Sequence, residues 1–385
     1  MRTRSGLRYP QLQSSDDDAC WKRKQWLPAG VEEEACCRWI GKEIIRGKRR
    51  RRLPVDDDEV VLWEHCEEEE RPDLFEELPE DLVVLILGKL SASADCPADL
   101  VSVIMTCKRL NRSGLDPVVL AKASPASITI RFENWSESAH EFLKKCADAG
   151  NLEALYSLGM IRFYCLENRQ GGIALMARAA LRSHAAALYS LAVIQFNGSG
   201  GSKDSKDLRA GVALCARAAT LGHIDALREL GHCLQDGYGI RQNVPAGRRF
   251  LFQANSREAA AFVEDHQMLC DLMNSSCALL SDYGCNVPPT EPHPANRFLL
   301  EWFASKGTRE KGLRLCSHSG CGRPETRQHE FRRCSVCGRV NYCSRACQAL
   351  HWKMAHKDNC FPLAVAAPQW ADAEAGGAVQ EAINQ

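Results

Sequence analysis

Seven cysteines and one histidine lie within a short stretch near the C-terminus, and their order along the chain suits metal binding. They form four pairs, whose members are separated by two to four residues: Cys316-x4-Cys321, Cys334-x2-Cys337, Cys343-x3-Cys347 and His356-x3-Cys360. Zinc takes four nitrogen or sulfur ligands in a tetrahedron, and two residues at such a spacing on a turn reach the same ion. Four pairs therefore predict two closed structural zinc sites, which leave no ligand position open for catalysis.

Neither packing in an apolar core nor disulfide bonding suits these residues as well as metal binding does. The chain carries 20 cysteines, and those outside the cluster are scattered without pairing, as expected of thiols that pack as small apolar side chains. A disulfide framework needs an oxidising compartment. The start of the chain lacks the apolar stretch of a secretory signal, so we do not expect disulfides. We expect His356 to be the ligand because it lies on the same helical face as Cys360. His351 is the competitor, and His318 and His329 are expected in loops.

The residues around the last two pairs resemble the MYND-type zinc finger, in the strings Tyr342-Cys343-Ser344, Cys347-Gln348, Trp352, His356-Lys357 and Cys360. The resemblance implies an interleaved arrangement, in which the first and third pairs bind one ion and the second and fourth pairs bind the other. The sequence departs from the family pattern in two ways. Four residues rather than two separate the first pair, and Trp352 precedes His356 by four positions rather than three. Both departures fit a longer loop or one extra helical residue.

The finger also suggests a binding surface. In MYND fingers that bind proline-containing peptides, the positions that match Ser335, Gln348 and Trp352 line the groove. The alternative is that Trp352 only packs on the zinc core. From Arg309 to Cys360 there are eleven Lys/Arg and four Asp/Glu, and seven thiolates with two divalent ions lower the formal charge to about plus four. This charge favours an acidic partner, and nucleic acid is not the expected one.

Upstream of the finger, the sequence predicts two apolar helices. The first begins at Pro79, with two acids in its first turn, and it is apolar nearly all round, so it needs burial on two sides. The second is predicted from Pro97 to Asn111. Together they resemble an F-box, the helical module that docks on the Skp adaptor of cullin-based ubiquitin ligases. An ordinary helical hairpin is the alternative. The resemblance implies eight candidate adaptor contacts: Leu78, Pro79, Leu82, Leu85, Ile86, Leu90, Val103 and Cys107.

An internal repeat lies between residues 139 and 256. The pattern Ala-Leu-x2-Leu, followed by a small residue, begins at Ala154, Ala187 and Ala226. A repeat of this length is one antiparallel helix pair that buries its apolar face by stacking on the next pair. The pattern resembles Sel-like repeats, relatives of the tetratricopeptide class, and the loop at residues 198–201 accommodates the longer last step. Such a solenoid offers a concave binding surface or serves as a spacer.

The remaining segments carry fewer signals. Residues 1–70 combine a basic run, Lys48–Arg52, with acidic runs, which predicts a disordered region. The basic run is a candidate nuclear-import signal, with a merely solvated patch as the alternative. Residues 257–312 are expected to form a helical linker, and residues 361–385 a disordered tail. The sequence contains no run of eighteen apolar residues, so we do not expect a membrane span. We expect the protein in the nucleus, the cytoplasm or both.

Taken together, these signals predict a mainly α protein: an F-box at 74–124, an α-solenoid of Sel-like helical-hairpin repeats, and a small two-zinc MYND finger at 316–360. No nucleophile-and-base set or phosphate loop is apparent, so we expect a non-catalytic adaptor. The resemblance to plant F-box proteins that carry a MYND finger implies the substrate-recognition subunit of an SCF (Skp–cullin–F-box) ubiquitin ligase. Its partners would be a Skp-type adaptor, a cullin and a protein substrate, bound by the repeats and the finger for proteasomal degradation. The alternative is a nuclear scaffold or corepressor-type interaction module.

Overall fold

The computed structural model describes residues 77–265, 291–308 and 312–362, without the side chains of residues 261–265. The predicted charged region at 1–70, the basic run within it, part of the predicted linker and most of the predicted tail lie outside this range. The described residues are mainly helical, in keeping with the predicted fold class. None of their helices combines the length and apolar character needed to cross a membrane.

The helices follow one another in three groups. Four helices come first: α1 (Glu80–Ser93), α2 (Pro97–Ile104), α3 (Lys108–Gly114) and α4 (Pro117–Lys122). Three helix pairs follow: α5 (Glu137–Asp148) with α6 (Leu152–Tyr164), α7 (Arg169–Leu181) with α8 (Ala185–Asn197), and α9 (Leu208–Thr220) with α10 (Ile224–Asp236). The last group contains α11 (Val244–Asp265), α12 (Pro294–Lys306), the antiparallel strands β1 (Arg332–Arg333) and β2 (Asn341–Tyr342), and α13 (Arg345–His351).

Helix α1 buries one face only. Val83 and Leu87 are buried in a small core that they share with Leu100, Ile104 and Val119 from α2 and α4. The other apolar face is open: Leu82, Leu85 and Ile86 are 45%, 47% and 41% exposed, respectively. The sequence predicts that α1 is buried on two sides, but the described residues of this chain cover only one of them.

The predicted second helix is divided in two. Helix α2 ends at Ile104, and α3 begins after Cys107, whose Sγ accepts the backbone N–H of Leu110 at 3.4 Å. Cysteine at this position therefore acts as an N-cap, with an extended backbone, instead of continuing the helix. The apolar spacing continues across the break, which explains why the prediction of one helix to Asn111 was wrong.

The three copies of the sequence repeat lie in α6, α8 and α10, the second helix of each pair. Consecutive pairs approach closely where small residues meet. A Cβ built on Gly172 of α7 would lie 2.7 Å from the carbonyl oxygen of Gly159 in α6, and one on Gly247 of α11 would lie 2.7 Å from that of Gly231 in α10. Helix α11 thus packs on α10 as α7 packs on α6. The solenoid continues past residue 256 through α11.

The second helix of each pair begins with the same kind of side-chain N-cap. The side chains of Asn151, His184 and His223 accept the N–H of the residue three positions later, at 3.0, 3.2 and 3.3 Å. Asn151 also donates through Nδ2 to the carbonyl oxygens of Leu120 and Ala123, at 3.2 and 2.8 Å. This buried amide joins the end of α4 to the first repeat, so the α1–α4 unit is attached to the solenoid by hydrogen bonds as well as by the chain.

Candidate metal centre and its docking on the repeats

The eight predicted zinc ligands converge in two groups of four. Cys316, Cys321, Cys343 and Cys347 form the first site, and Cys334, Cys337, His356 and Cys360 form the second site. Within each group, the ligand atoms lie within 4.8 Å of one another. The interleaved arrangement implied by the MYND resemblance is confirmed, and so is the prediction of two structural zinc ions.

Distances between the ligand atoms fit tetrahedral zinc. In a tetrahedron with Zn–S bonds near 2.3 Å, two sulfur atoms lie about 3.8 Å apart, and a sulfur and an imidazole nitrogen lie about 3.6 Å apart. The Sγ atoms of Cys321 and Cys343 are 3.5 Å apart, and those of Cys334 and Cys360 are 3.7 Å apart. Cys337 Sγ lies 3.5 Å from Nε2 of His356. The donors therefore have the chemistry and the spacing that zinc requires.

The thiols of the first site depend on a cation to ionise together. Hydrogen bonds with Cys316, Cys343 and Cys347 hold the pKa of Cys321 well below its ordinary value. Hydrogen bonds with Cys316 and Cys321 raise the pKa of Cys343 well above it, because a neighbouring thiolate disfavours a second one. A divalent ion removes this conflict, since it binds all four ligands as thiolates.

His351, the competing histidine, has another role. Its Nδ1 lies 3.0 Å from the hydroxyl oxygen of Tyr342, and its ring stacks on the ring of His356 with centroids 5.6 Å apart. Trp352 packs edge-on against His356 at 5.7 Å. These aromatic contacts fix the orientation of the ligand imidazole. The segment Trp352–His356 is a π-helix, which accommodates the extra residue between the tryptophan and the histidine.

The finger packs against the second helices of the repeats. Arg323, which is 3% exposed, donates to Ser190 Oγ in α8 at 2.8 Å and to Cys321 Sγ at 3.5 Å. Asn197 Nδ2, at the end of α8, donates to the carbonyl oxygen of Cys343 at 2.7 Å. The first zinc site is therefore adjacent to the repeats, and a single apolar core runs from the repeats into the finger.

The long loop between the first two cysteine pairs makes a second contact with the repeats. Glu330 is buried, and its Oε2 accepts the N–H groups of Thr326 and Arg327 at 2.6 and 3.2 Å. Arg327 in turn donates to the carbonyl oxygen of Gly198 at 2.8 Å. The finger loop therefore packs against the glycine-rich loop that follows α8. No signal in the sequence pointed to Arg323, Arg327 and Glu330, because they contact repeat residues more than a hundred positions away.

Gln348 and Trp352, two of the three groove candidates, line a cleft of about 290 Å³ between the finger and the end of the solenoid. The opposite wall includes His232 of α10 and Leu251 of α11. Ser335 is exposed and is not among the lining residues. The groove in this chain is therefore a composite of finger and repeat, and the role of these three residues in binding stays a prediction.

The adaptor-binding candidates lie on α1, α2 and the turns beside them. Leu82, Leu85 and Ile86 share one face of α1 at helical spacing and are exposed. Pro79 and Cys107 are also exposed, whereas the other three candidates are partly buried: Leu78, Leu90 and Val103. Met105, which was not among the candidates, is 53% exposed just beyond α2.

Comparison with known proteins agrees with this architecture. The family described as plant tetratrico peptide repeats matches residues 126–217, and the MYND finger family matches residues 316–360. In Arabidopsis thaliana, F-box protein At1g67340 is 58% identical over 352 residues, which are 87% of this chain and 91% of that protein. F-box protein At5g50450, also from Arabidopsis thaliana, is 59% identical over 290 residues, which are 75% of this chain and 85% of that protein.

Among solved structures, a Sel1 repeat protein from Oxalobacter formigenes is similar to part of the chain. The match covers 32% of this chain and 96% of that protein, at 21% identity and a TM-score of 0.28.

Proposed function

Because this chain belongs to the family of F-box proteins that includes these two Arabidopsis relatives, we propose that it is the substrate-recognition subunit of an SCF (Skp–cullin–F-box) ubiquitin ligase. In this role it performs no catalysis itself. The helices α1 to α4 bind a Skp-type adaptor, which connects the chain to a cullin, and the repeats and the finger bind the protein to be ubiquitinated for proteasomal degradation.

The open apolar face of α1 is the observation that carries this proposal. Leu82, Leu85 and Ile86 are each more than two-fifths exposed, on a helix whose opposite face is buried. Three large apolar side chains at adjacent helical positions are costly to leave in water, and they suit a partner that covers them. A helix that is apolar on both faces is thereby used twice, once for the small α1–α4 core and once for the adaptor.

Capture of the purified full-length chain on an immobilised Skp-type adaptor tests this assignment. Ile86→Asp places a carboxylate where it would be buried without a partner at the contact, so it should cost several kcal/mol and abolish capture. Leu181→Asp is the matched control, because Leu181 is 78% exposed at the end of α7 and far from α1 in sequence. The control should bind as the wild type does.

Folded wild-type chain that captures no Skp-type adaptor would exclude the SCF role. The scaffold or corepressor-type function would then be the better explanation, since it needs only the repeats and the finger. A nuclear location fits either function. We propose that Lys48–Arg52, which lies outside the described residues, directs part of the protein to the nucleus, and that the rest is cytoplasmic. Neutralising this basic run should shift a fluorescent fusion toward the cytoplasm.

A further inference from the structure

A second cavity, of about 570 Å³, lies between the repeats, α12 and the finger. The repeats contribute the aromatic rings of Tyr156 and Tyr189, and the finger contributes the apolar side chains of Leu350 and Met354. A space of this size exceeds what a single ion or water molecule fills and falls within the range of ligand pockets. None of the residues that line this cavity is a zinc ligand or a proposed adaptor contact.

Three buried polar atoms of the residues around this cavity have no hydrogen-bond partner. They are Nε of Arg323, Nδ1 of His318 and Oδ1 of Asn296, and the described residues contain seven such side-chain atoms. Buried polar groups in folded proteins are nearly always hydrogen-bonded. Their concentration around one cavity suits a partner bound there that completes these hydrogen bonds in place of ordered water.

The free atoms define what this partner must offer. Arg323 Nε–H is a donor, Asn296 Oδ1 is an acceptor, and His318 Nδ1 serves as either, depending on its tautomer. A peptide segment offers both kinds of group along its backbone, and the walls of mixed aromatic and aliphatic residues suit its side chains. A solitary cation or a purely apolar molecule would leave at least one of these groups unsatisfied.

The electrostatics of the cavity favour a negatively charged group on that segment. The 13-residue helices α8, α10 and α12 begin beside it, since Ala186, Ile224 and His293 contribute to its walls. The N-terminal end of a helix carries partial positive charge.

The three acidic residues that line the cavity each have a basic partner. Their shortest ion pairs are Asp225 with Arg228 at 3.4 Å, Glu258 with Arg228 at 2.8 Å, and Glu291 with Arg297 at 2.9 Å. Arg323, in the wall of the cavity, is buried and donates to Cys321 of the first zinc site. A carboxylate is the group with which a guanidinium N–H forms its strongest hydrogen bonds.

We propose that this cavity is the pocket that recognises a short peptide segment bearing a carboxylate, at its C-terminus or on an acidic side chain. The proposal rests on the adaptor role above, because the segment would belong to the protein selected for ubiquitination. The carboxylate accepts from Arg323 Nε–H, a backbone N–H donates to Asn296 Oδ1, and an apolar side chain packs between the tyrosine rings and Leu350. Since the repeats, α12 and the finger all form the walls, the pocket exists only in the assembled chain.

Affinity selection with the purified full-length, zinc-loaded chain tests this pocket. Two pools of short random peptides are used, one with free and one with amidated C-termini. Peptides that carry a carboxylate should be enriched, and enrichment from the free pool alone would place that carboxylate at the C-terminus. Ala186→Phe fills the cavity and should weaken the selected peptides roughly tenfold or more by fluorescence anisotropy. Ala213→Phe, on the exposed side of α9, is the matched control and should not weaken them.

A second variant separates recognition from folding. Asn296→Ala removes the free acceptor without adding bulk, so it should weaken peptide binding while zinc content and thermal unfolding stay as in the wild type. Enrichment of peptides without any carboxylate would overturn the proposal, and so would equal binding by the wild type and Ala186→Phe. If no peptide is selected by a chain that still captures the adaptor, the pocket assignment is wrong and the proposed function stands. If the folded wild-type chain does not capture the adaptor, the proposed function is instead excluded.

Discussion

Glu229 of α10 accepts the backbone N–H of Ala346 at 2.8 Å, so a carboxylate of the repeats caps the first turn of the finger helix. Glu229 is 2% exposed, and its Oε1 lies 3.9 Å from Arg345. Burial raises the pKa of Glu229, whereas the hydrogen bond from Ala346 and the charge of Arg345 oppose this rise. The finger is therefore held on the repeats by specific polar contacts, in addition to the apolar core that they share.

Replacing Glu229 tests the strength of this contact. Glu229→Ala should lower the free energy of unfolding by about 1–3 kcal/mol, because the N–H of Ala346 would be buried without an acceptor. Glu229→Gln keeps an acceptor oxygen and removes a charge whose burial is unfavourable, so its loss should be smaller. Urea unfolding at neutral pH, followed by circular dichroism, measures both. Equal losses for the two variants would contradict a capping role.

The two zinc sites should differ in what their disruption does to the rest of the chain. Cys321 of the first site contacts Arg323, which bonds to the repeats, whereas Cys337 of the second site has its partners within the finger. Cys337→Ser should reduce zinc from about two ions per chain to about one and leave the melting temperature of the repeats nearly unchanged. Cys321→Ser should also lower that melting temperature.

Colorimetric zinc release, combined with thermal unfolding followed by circular dichroism, distinguishes these outcomes. Two variants that melt alike would show that the finger stabilises the repeats through neither site or through both equally. Retention of two ions by either variant would remove the mutated cysteine from the ligand set.

The zinc ligands were predictable because each pair is local in sequence. Two residues separate Cys334 from Cys337, so their spacing alone indicates a shared ion. Which pairs share an ion is a long-range property, and here the family resemblance supplied it. The small residue that follows each copy of the repeat pattern suits close helix packing, and Gly159 at that position lies against Gly172 of the next helix.

Contacts between the finger and the repeats could not be predicted in this way. Arg327 binds the carbonyl oxygen of Gly198, yet no periodicity relates two loops 129 residues apart. From the sequence, the loop at residues 198–201 only accommodates a longer repeat step. The sequence also suggested two binding surfaces, one on the repeats and one on the finger. In the structure they belong to a single packed unit, because one wall of the Trp352 cleft comes from α10 and α11.

Trp352 offers a test of that composite cleft. Its ring lines the cleft and also packs edge-on against His356. Trp352→Ala should leave zinc near two ions per chain, because His356 keeps its stacking contact with His351. Adaptor capture should also be unchanged, since α1 is a separate surface. Loss of the second ion in this variant would show that Trp352 is structural, and the groove assignment would have to be withdrawn.

Glu153 predicts a specific acid sensitivity. Its carboxylate lies 3.1 Å from Nε2 of His184 and 3.0 Å from Nε2 of His293, so it joins the residues that cap α8 and α12. Burial alone would raise the pKa of Glu153, but the hydrogen bonds from His184 and His293 outweigh it and lower the pKa from 4.5 to about 2. A carboxyl pKa that is lower in the folded state stabilises the fold above the unfolded value, and this contribution disappears as pH falls through the folded value.

The charge of Glu153 contributes about 3 kcal/mol to the free energy of unfolding at neutral pH. Most of this contribution should disappear as the pH falls from roughly 4.5 toward 2. Glu153→Gln never carries the charge, so the variant should be less stable than the wild type at pH 7, by up to this amount. Because both proteins lose zinc in acid alike, the informative quantity is the difference between their unfolding free energies at each pH. That difference should shrink through this window in urea titrations. A difference that stays constant from neutral pH to pH 3 would show that the charge of Glu153 does not stabilise the fold.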